Sequence, residues 1–154
     1  MSQMLYYPPS PPPEDALFQG VILRRCIAWL LDIIGMALFG WALIVAIAIF
    51  GVLTLGFGWL AFHILPWLPL VYYTLLVGGT GATPGQRLAG LAVRQDAGLA
   101  PPTMAQALVW SLLMWLSYAL AGLPFLLVFF NPRHRAGHDL LSGLVLVRAA
   151  PVFY

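Results

Sequence analysis

Charged residues are so sparse along this chain that the apolar runs between them set its elements. Between Cys26 and Phe50, Asp32 is the only charged side chain. A run of that length crosses a bilayer as one helix, for which about 20 apolar residues suffice, so a first span is predicted from about Arg25 to Phe50. Gly51–Val52–Leu53–Thr54–Leu55–Gly56–Phe57–Gly58 is a glycine-punctuated turn, and a second span follows from about Trp59 to Val77. So short a connection makes the pair an antiparallel hairpin. His63, Pro66 and Pro69 interrupt the second helix. The prolines should kink it and free carbonyls that need partners. Trp59, Trp67, Tyr72 and Tyr73 suit interfacial or packing positions. Ahead of the first span, Ala16–Leu23 reads as an amphipathic turn along the membrane surface.

The pattern then turns more polar. Thr83–Pro84–Gly85–Gln86 reads as a capping box with proline at the first helical position. It opens a short amphipathic helix that Gly90 ends. Leu91–Val93 with Arg94 reads as a strand and Asp96–Ala97–Gly98 as a turn. Thr103–Met104–Ala105–Gln106 is a second capping box, opening a hydrophobic helix to about Phe130. After Asn131–Pro132, the segment Leu144–Arg148 reads as another strand. The two strand regions echo each other: Arg87–Arg94 and Asp139–Arg148 each run helical turn, glycine, β-prone residues, arginine. A lone strand leaves its backbone unpaired, so each is the expected partner of the other.

The fold class that follows is an all-α membrane protein. It has a transmembrane helical hairpin, a third hydrophobic helix, short amphipathic helices and a small two-stranded β pairing at the cytoplasmic face. The third helix, Met104–Phe130, is re-entrant, kinked or spanning. Arginines fall at 24 and 25, at 87 and 94, and at 133, 135 and 148. The positive-inside rule puts all three groups, and the N-terminus, in the cytoplasm. Met104–Phe130 must then go in and return, as two arms of about 13 residues reaching about 20 Å each, with Ala121–Gly122–Leu123–Pro124 as the bend. The alternative is a third full span with the last arginines outside.

Composition agrees with an integral membrane protein: 62% of residues are hydrophobic and 8% charged. A net charge of +2 is small for a nucleic-acid partner, and no nucleic-acid motif is present. The single Cys26 cannot form an internal disulfide and reads as a small membrane-facing or packing side chain. No cleavable signal peptide is expected from the uncharged, proline-rich start. Residues 1–17 read as a disordered proline-rich tail, 18–149 as one membrane domain and 150–154 as a second tail.

Three motifs together resemble the RDD family of small bacterial membrane proteins. They are Arg25–x–x–Ala28–x–x–x–Asp32, then Thr83–Pro84–Gly85–Gln86–Arg87–Leu88–x–Gly90–Leu91–x–Val93, then His138–Asp139–x–Leu141–x–Gly143 before a valine-rich strand. The resemblance covers about residues 18 to 149. It implies that Arg25, Asp32 and Asp139 are the charged motif after which the family is named, and that Thr83, Pro84, Gly85, Arg87, Gly90, His138 and Gly143 form an interfacial motif. It also implies a multi-pass protein of the bacterial inner membrane; transport or cation/proton exchange has been suggested for some members. Gln86 stands where the family commonly has lysine, which removes one cationic anchor.

A carboxylate inside a span costs roughly 2.5–3.5 kcal/mol at the helix centre, so Asp32 needs a partner or a use. Arg25, Ala28 and Asp32 share one helix face, with Ala28 small enough for another backbone to approach. On one reading Arg25, Asp32 and Asp139 form a buried ionic network that pins the helices. On the other Asp32 is desolvated and carries a proton or cation, with His63 as the second member of a relay. Against that relay, His63 can instead bond a carbonyl near Pro66. His134 and His138 have metal-ligand spacing beside Asp139, but no third ligand is evident, so no metal is expected. The Gly78–Gly81 cluster lacks the lysine of a phosphate-binding loop. No nucleophilic set is placed for catalysis, so neither an enzyme nor a cofactor is expected. Two functions stay open: a small transport-related component using Asp32, self-assembled as a homo-oligomer, or a non-catalytic accessory or assembly subunit of a larger membrane complex. The second rests on the small residues Ala28, Gly35, Gly40, Ala42 and Ala46 and on the proline-rich tail.

Overall fold

The computed structural model describes residues 14–149; the proline-rich stretch 1–13 and residues 150–154 lie outside the described residues. A short helix, α1 (Glu14–Phe18), begins within the stretch assigned to the tail. After the left-handed Gly20, the long apolar run forms one helix, α2 (Val21–Leu53), of 33 residues. At about 1.5 Å per residue it is about 50 Å long, more than the roughly 30 Å of a hydrocarbon core. The helix exceeds the span predicted at Arg25–Phe50 because Val21–Arg24 contain no breaker and Gly51, predicted to open the turn, is taken into the helix, which runs on to Leu53. Val21 is fully buried, so it belongs to the core and not to a surface-lying turn.

The second apolar run is two kinds of helix. Phe57–Trp67 is a 3₁₀ segment containing Pro66, and α3 (Leu68–Thr80) is α-helical. Pro69 lies in the first turn of α3, where no backbone donor is required. It therefore starts a helix, whereas the sequence had suggested a kink at that residue. The capping box at Thr83 forms as expected and opens α4 (Pro84–Leu88). Strand β1 (Leu91–Gln95) follows. The second capping box, at Thr103, opens α5 (Met104–Ala119). Ala121 and Gly122 have φ of 53° and 78°, and the chain turns there into a second 3₁₀ limb, Leu123–Phe129, bent 109° from α5. The bend falls within the predicted Ala121–Pro124. Two helices are long and apolar enough to cross a membrane, or three if the bent pair is one span.

The last elements are α6 (Gly137–Ser142) and β2 (Leu144–Arg148). β1 and β2 pair antiparallel, with Leu91 opposite Arg148 and Arg94 opposite Val145. The internal echo is therefore structural: α4 and α6 each end at a glycine with φ of 68°, Gly90 and Gly143, and pass directly into a strand. Both faces of this small sheet are covered. Leu91, Val93, Leu144 and Leu146 join the main core with Val21, Ala28, Val77 and Trp110. Ala92, Val145 and Val147 pack under Phe18 of α1, which explains why strands so short are apolar throughout. The core thus lies at one end of the helices. The far end, around Leu38, Leu53, Leu55 and Phe57, leaves apolar side chains 68–94% exposed, as expected of a surface that faces lipid.

Candidate functional site

The charged residues of the first helix each hold one of the short helices. Asp32 lies about three turns inside α2 and is 3% exposed. Its carboxylate accepts from Tyr72 Oη at 2.8 Å, Thr83 Oγ1 at 2.5 Å and the Gly85 backbone N–H at 2.9 Å. Two of these donors lie at the N-terminal turn of α4, where backbone N–H groups have no helical partner and favour an anion. The Thr83 hydroxyl also accepts from Gln86 N, while Gln86 Oε1 accepts from Thr83 N. Gln86 is therefore spent on the capping box and is 5% exposed. Gly85 permits the approach: a Cβ there would collide with the Ala28 carbonyl and lie 2.7 Å from Asp32 Oδ1. Ala28 and Gly85 are the two small residues that let α4 sit on α2.

About two turns earlier on α2, Arg25 Nη1 donates to Asp139 Oδ2 at 2.6 Å. Asp139 is fully buried. It also accepts from Trp110 Nε1 at 2.7 Å and from Ala136 N at 3.0 Å, closing the first turn of α6. Burial pushes the Asp139 carboxyl up, but Arg25, His138, Trp110 and Ala136 together outweigh it and hold the group below its ordinary value. His138 Nε2 stands 3.4 Å from Asp139 Oδ1. Burial pushes the His138 imidazole down, further than the neighbouring carboxylate raises it. Arg135 clamps the same helix, donating to the carbonyls of Leu144 and Asp139 and pairing with Asp96 at 2.8 Å.

Arg25, Asp32 and Asp139 are thus brought to one end of the fold as two separate centres: Arg25 with Asp139, and Asp32 with neutral donors. His63 is not brought to Asp32. It is exposed, and its ring contacts the Leu60 carbonyl of its own turn at 3.1 Å. His134 does not share a helix face with His138, because it precedes α6 with φ of 49° and bonds the Val128 carbonyl. No group of three metal-ligand side chains occurs among the described residues. Pro84 occupies the first position of α4, and Arg87 is exposed with no ion pair among the described residues. Gly90 and Gly143 serve as the left-handed helix ends already described.

Tyr72, Trp110 and Arg135 are the partners that sequence reasoning did not assign. The available signal was chemical: a buried Tyr O–H or Trp N–H requires an acceptor, and Asp32 and Asp139 are the acidic residues nearest to apolar sequence. Beside both centres lies a cavity of about 520 Å³, to which Arg25, Asp32, Gln86 and His138 contribute in an otherwise largely apolar wall.

Apolar helices long enough to cross a bilayer, joined at one end by a capped polar layer, define a membrane-type protein. The chain belongs to the RDD family, whose family model matches residues 20–143. No curated protein and no solved structure matches it.

Proposed function

We propose that the chain is a small, non-enzymatic, transport-related component of a bacterial inner membrane, with its N-terminus in the cytoplasm and Asp32 as the group that takes up and releases a proton or cation. The observation that supports this is the state of Asp32: a carboxylate 3% exposed, held by three neutral donors, with no cationic partner among the described residues. A buried carboxylate without a counter-charge binds a proton or a cation favourably. Asp32 also reaches the wall of the cavity, which supplies a route to it. In this reading Met104–Phe130 is a re-entrant hairpin, since the ion pair to Arg25 and the strand pairing return the chain to the starting end. So short a chain needs copies of itself to enclose a path.

The test is flux in proteoliposomes under a pH or cation gradient, comparing wild type with Asp32→Asn after both are shown to be folded. Loss of flux in the variant supports the reading, and equal flux refutes it. A second reading, an accessory subunit of a larger membrane complex, is favoured by the same three bonds. They make Asp32 a latch for α4, a purely structural duty. Under that reading the vesicles show no flux, and purification in mild detergent returns a stable larger complex.

A further inference from the structure

Arg25 gives only one edge of its guanidinium to Asp139. Nη1 carries the ion pair, whereas Nε and Nη2 are buried without a hydrogen-bond partner among the described residues. These two N–H groups form the side-on edge of the guanidinium, a pair of parallel donors that matches two oxygens of a carboxylate or phosphate. A buried donor left without an acceptor is costly, so two on one side chain are a strong indication of a ligand. Nδ1 of His138 is also buried without a partner. The ring is 4% exposed and held edge-on between Trp110 and Phe125. With the ring proton assigned to Nε2, 3.4 Å from Asp139, Nδ1 is the acceptor. The unspent groups are therefore two donors and one acceptor, the complement of an acid group that offers oxygen lone pairs and one O–H.

Both side chains line the 520 Å³ cavity, a size within the roughly 300–1,000 Å³ of small-molecule sites. The remaining wall is hydrocarbon-like, with Met114, Phe125 and Leu126 facing Trp29. Leu126 and Phe129, which are 51% and 64% exposed, edge the cavity together with Trp29, which is 46% exposed. The exposed part of its lining, on α2 and on the bent limb Leu123–Phe129, is thus apolar and suits acyl chains.

We infer that this cavity binds a single-chain amphiphile with an acid headgroup, its oxygens on the Nε/Nη2 edge of Arg25 and its hydrocarbon chain against Trp29, Phe125 and Leu126. The headgroup is a carboxylic acid or a phosphate monoester. At about 520 Å³ the cavity is the size of a single small-molecule site, which sets the choice of one chain over the pair of a diacyl lipid. The inference does not depend on Asp32 carrying anything.

The experiment is binding to the full chain in nanodiscs, by native mass spectrometry and by competition for a fluorescent fatty acid. The probes are palmitate and lysophosphatidate, with methyl palmitate and inorganic phosphate as controls. Two variants separate head from tail. Arg25→Lys keeps a cation for Asp139 but removes the fork, and Leu126→Trp crowds that exposed lining without touching either charge. Wild type is expected to bind one palmitate or one lysophosphatidate per chain, and the tighter of the two names the headgroup. Arg25→Lys should weaken binding at least about tenfold, the scale of one lost charge-assisted hydrogen bond. Leu126→Trp should weaken it comparably, while both variants melt near wild type without ligand. Methyl palmitate binding as tightly as palmitate overturns the inference. So does inorganic phosphate binding as well as lysophosphatidate, Arg25→Lys binding like wild type, or a folded wild-type chain that takes up no probe.

Discussion

The separation of the charges into two centres makes a quantitative prediction for Asp139→Asn. The substitution keeps the shape of the side chain but removes its charge. It leaves the Arg25 guanidinium, 15% exposed, beside a group that can no longer neutralise it. Removing one member of a buried pair typically costs about 3–5 kcal/mol. Asp139 additionally serves Trp110 and Ala136, and an amide presents one acceptor oxygen where the carboxylate had two. For a chain of this size about 2–4 °C is lost per kcal/mol, so the melting temperature should fall by about 6–20 °C. Asp32→Asn can keep its amide oxygen for Tyr72 and Gly85, which share Oδ1, and loses the bond from Thr83 to the other oxygen, worth about 1.5–3 kcal/mol; it leaves no cation unpaired and should fall less. The assay is thermal unfolding in detergent, followed by helical circular dichroism, in a double-mutant cycle with Arg25→Gln. Arg25 and Asp139 should couple by more than about 1 kcal/mol, whereas Arg25 and Asp32, about 10 Å apart along α2 with no shared partner, should couple by less than about 0.5 kcal/mol. Equal coupling of Arg25 to both aspartates would mean one three-charge network and refute the reasoning.

Two further outcomes follow from the same contacts. Gly85→Ala should destabilise by roughly 1–3 kcal/mol, because the new Cβ meets the Ala28 carbonyl and Asp32; Gly79→Ala, with nothing within 4 Å, is the control that should melt like wild type. Acidification should lower stability in two stages, since His138 and Asp139 both have folded pKa values below their unfolded ones. Their stabilisation is complete above the unfolded pKa and lost as protons bind the unfolded chain: first below the ordinary imidazole range, then below the ordinary carboxylate range, by at most about 1.4 kcal/mol per pH unit for each group. A melting temperature that stays flat or rises from pH 7 to pH 5, or a His138→Phe variant with the wild-type slope, would contradict this.

Local signals were legible where a single turn of chain determines the outcome. Thr83 and Thr103 announced their capping boxes because cap and acceptor lie three residues apart. Gly90 and Gly143 announced helix ends because only the left-handed region links helix to strand so tightly. The strand pairing was legible through the echo between the two units, and membership of the RDD family through motif order. What was not legible depends on distance. Asp32 and Arg25 share a helix face, and nothing local says that one meets Thr83 and the other Asp139. Tyr72 and Trp110 sit in apolar runs where an aromatic packs equally well without bonding an acid. Pro69 was read as a kink because a proline's effect depends on its position in the helix, and the 3₁₀ course of Phe57–Trp67 moved the start of α3 to Leu68.

The echo also explains why Arg25 and Asp32, on one face of α2, have opposite sign. In α4 and α6 the third helical residue, Gln86 or Asp139, accepts the backbone N–H of the residue before the helix, and the terminating glycine follows four residues later. The units differ in what they present to α2. α4 offers donors, the Thr83 hydroxyl and the Gly85 N–H, which only an acceptor can satisfy, hence Asp32. α6 carries its acceptor as a full charge on Asp139, which burial makes untenable without a cation, hence Arg25. Exchanging the signs would set Asp139 against an acid and the α4 donors against a cation, so each centre fixes the identity of its own partner. The two centres consequently differ in what they leave free. Arg25 has donors to spare because Asp139 uses one nitrogen of a five-donor group, whereas Asp32 has three donors and no cation. The acid headgroup proposed above would therefore be taken by the Arg25 centre, and the proton or cation proposed above by the Asp32 centre.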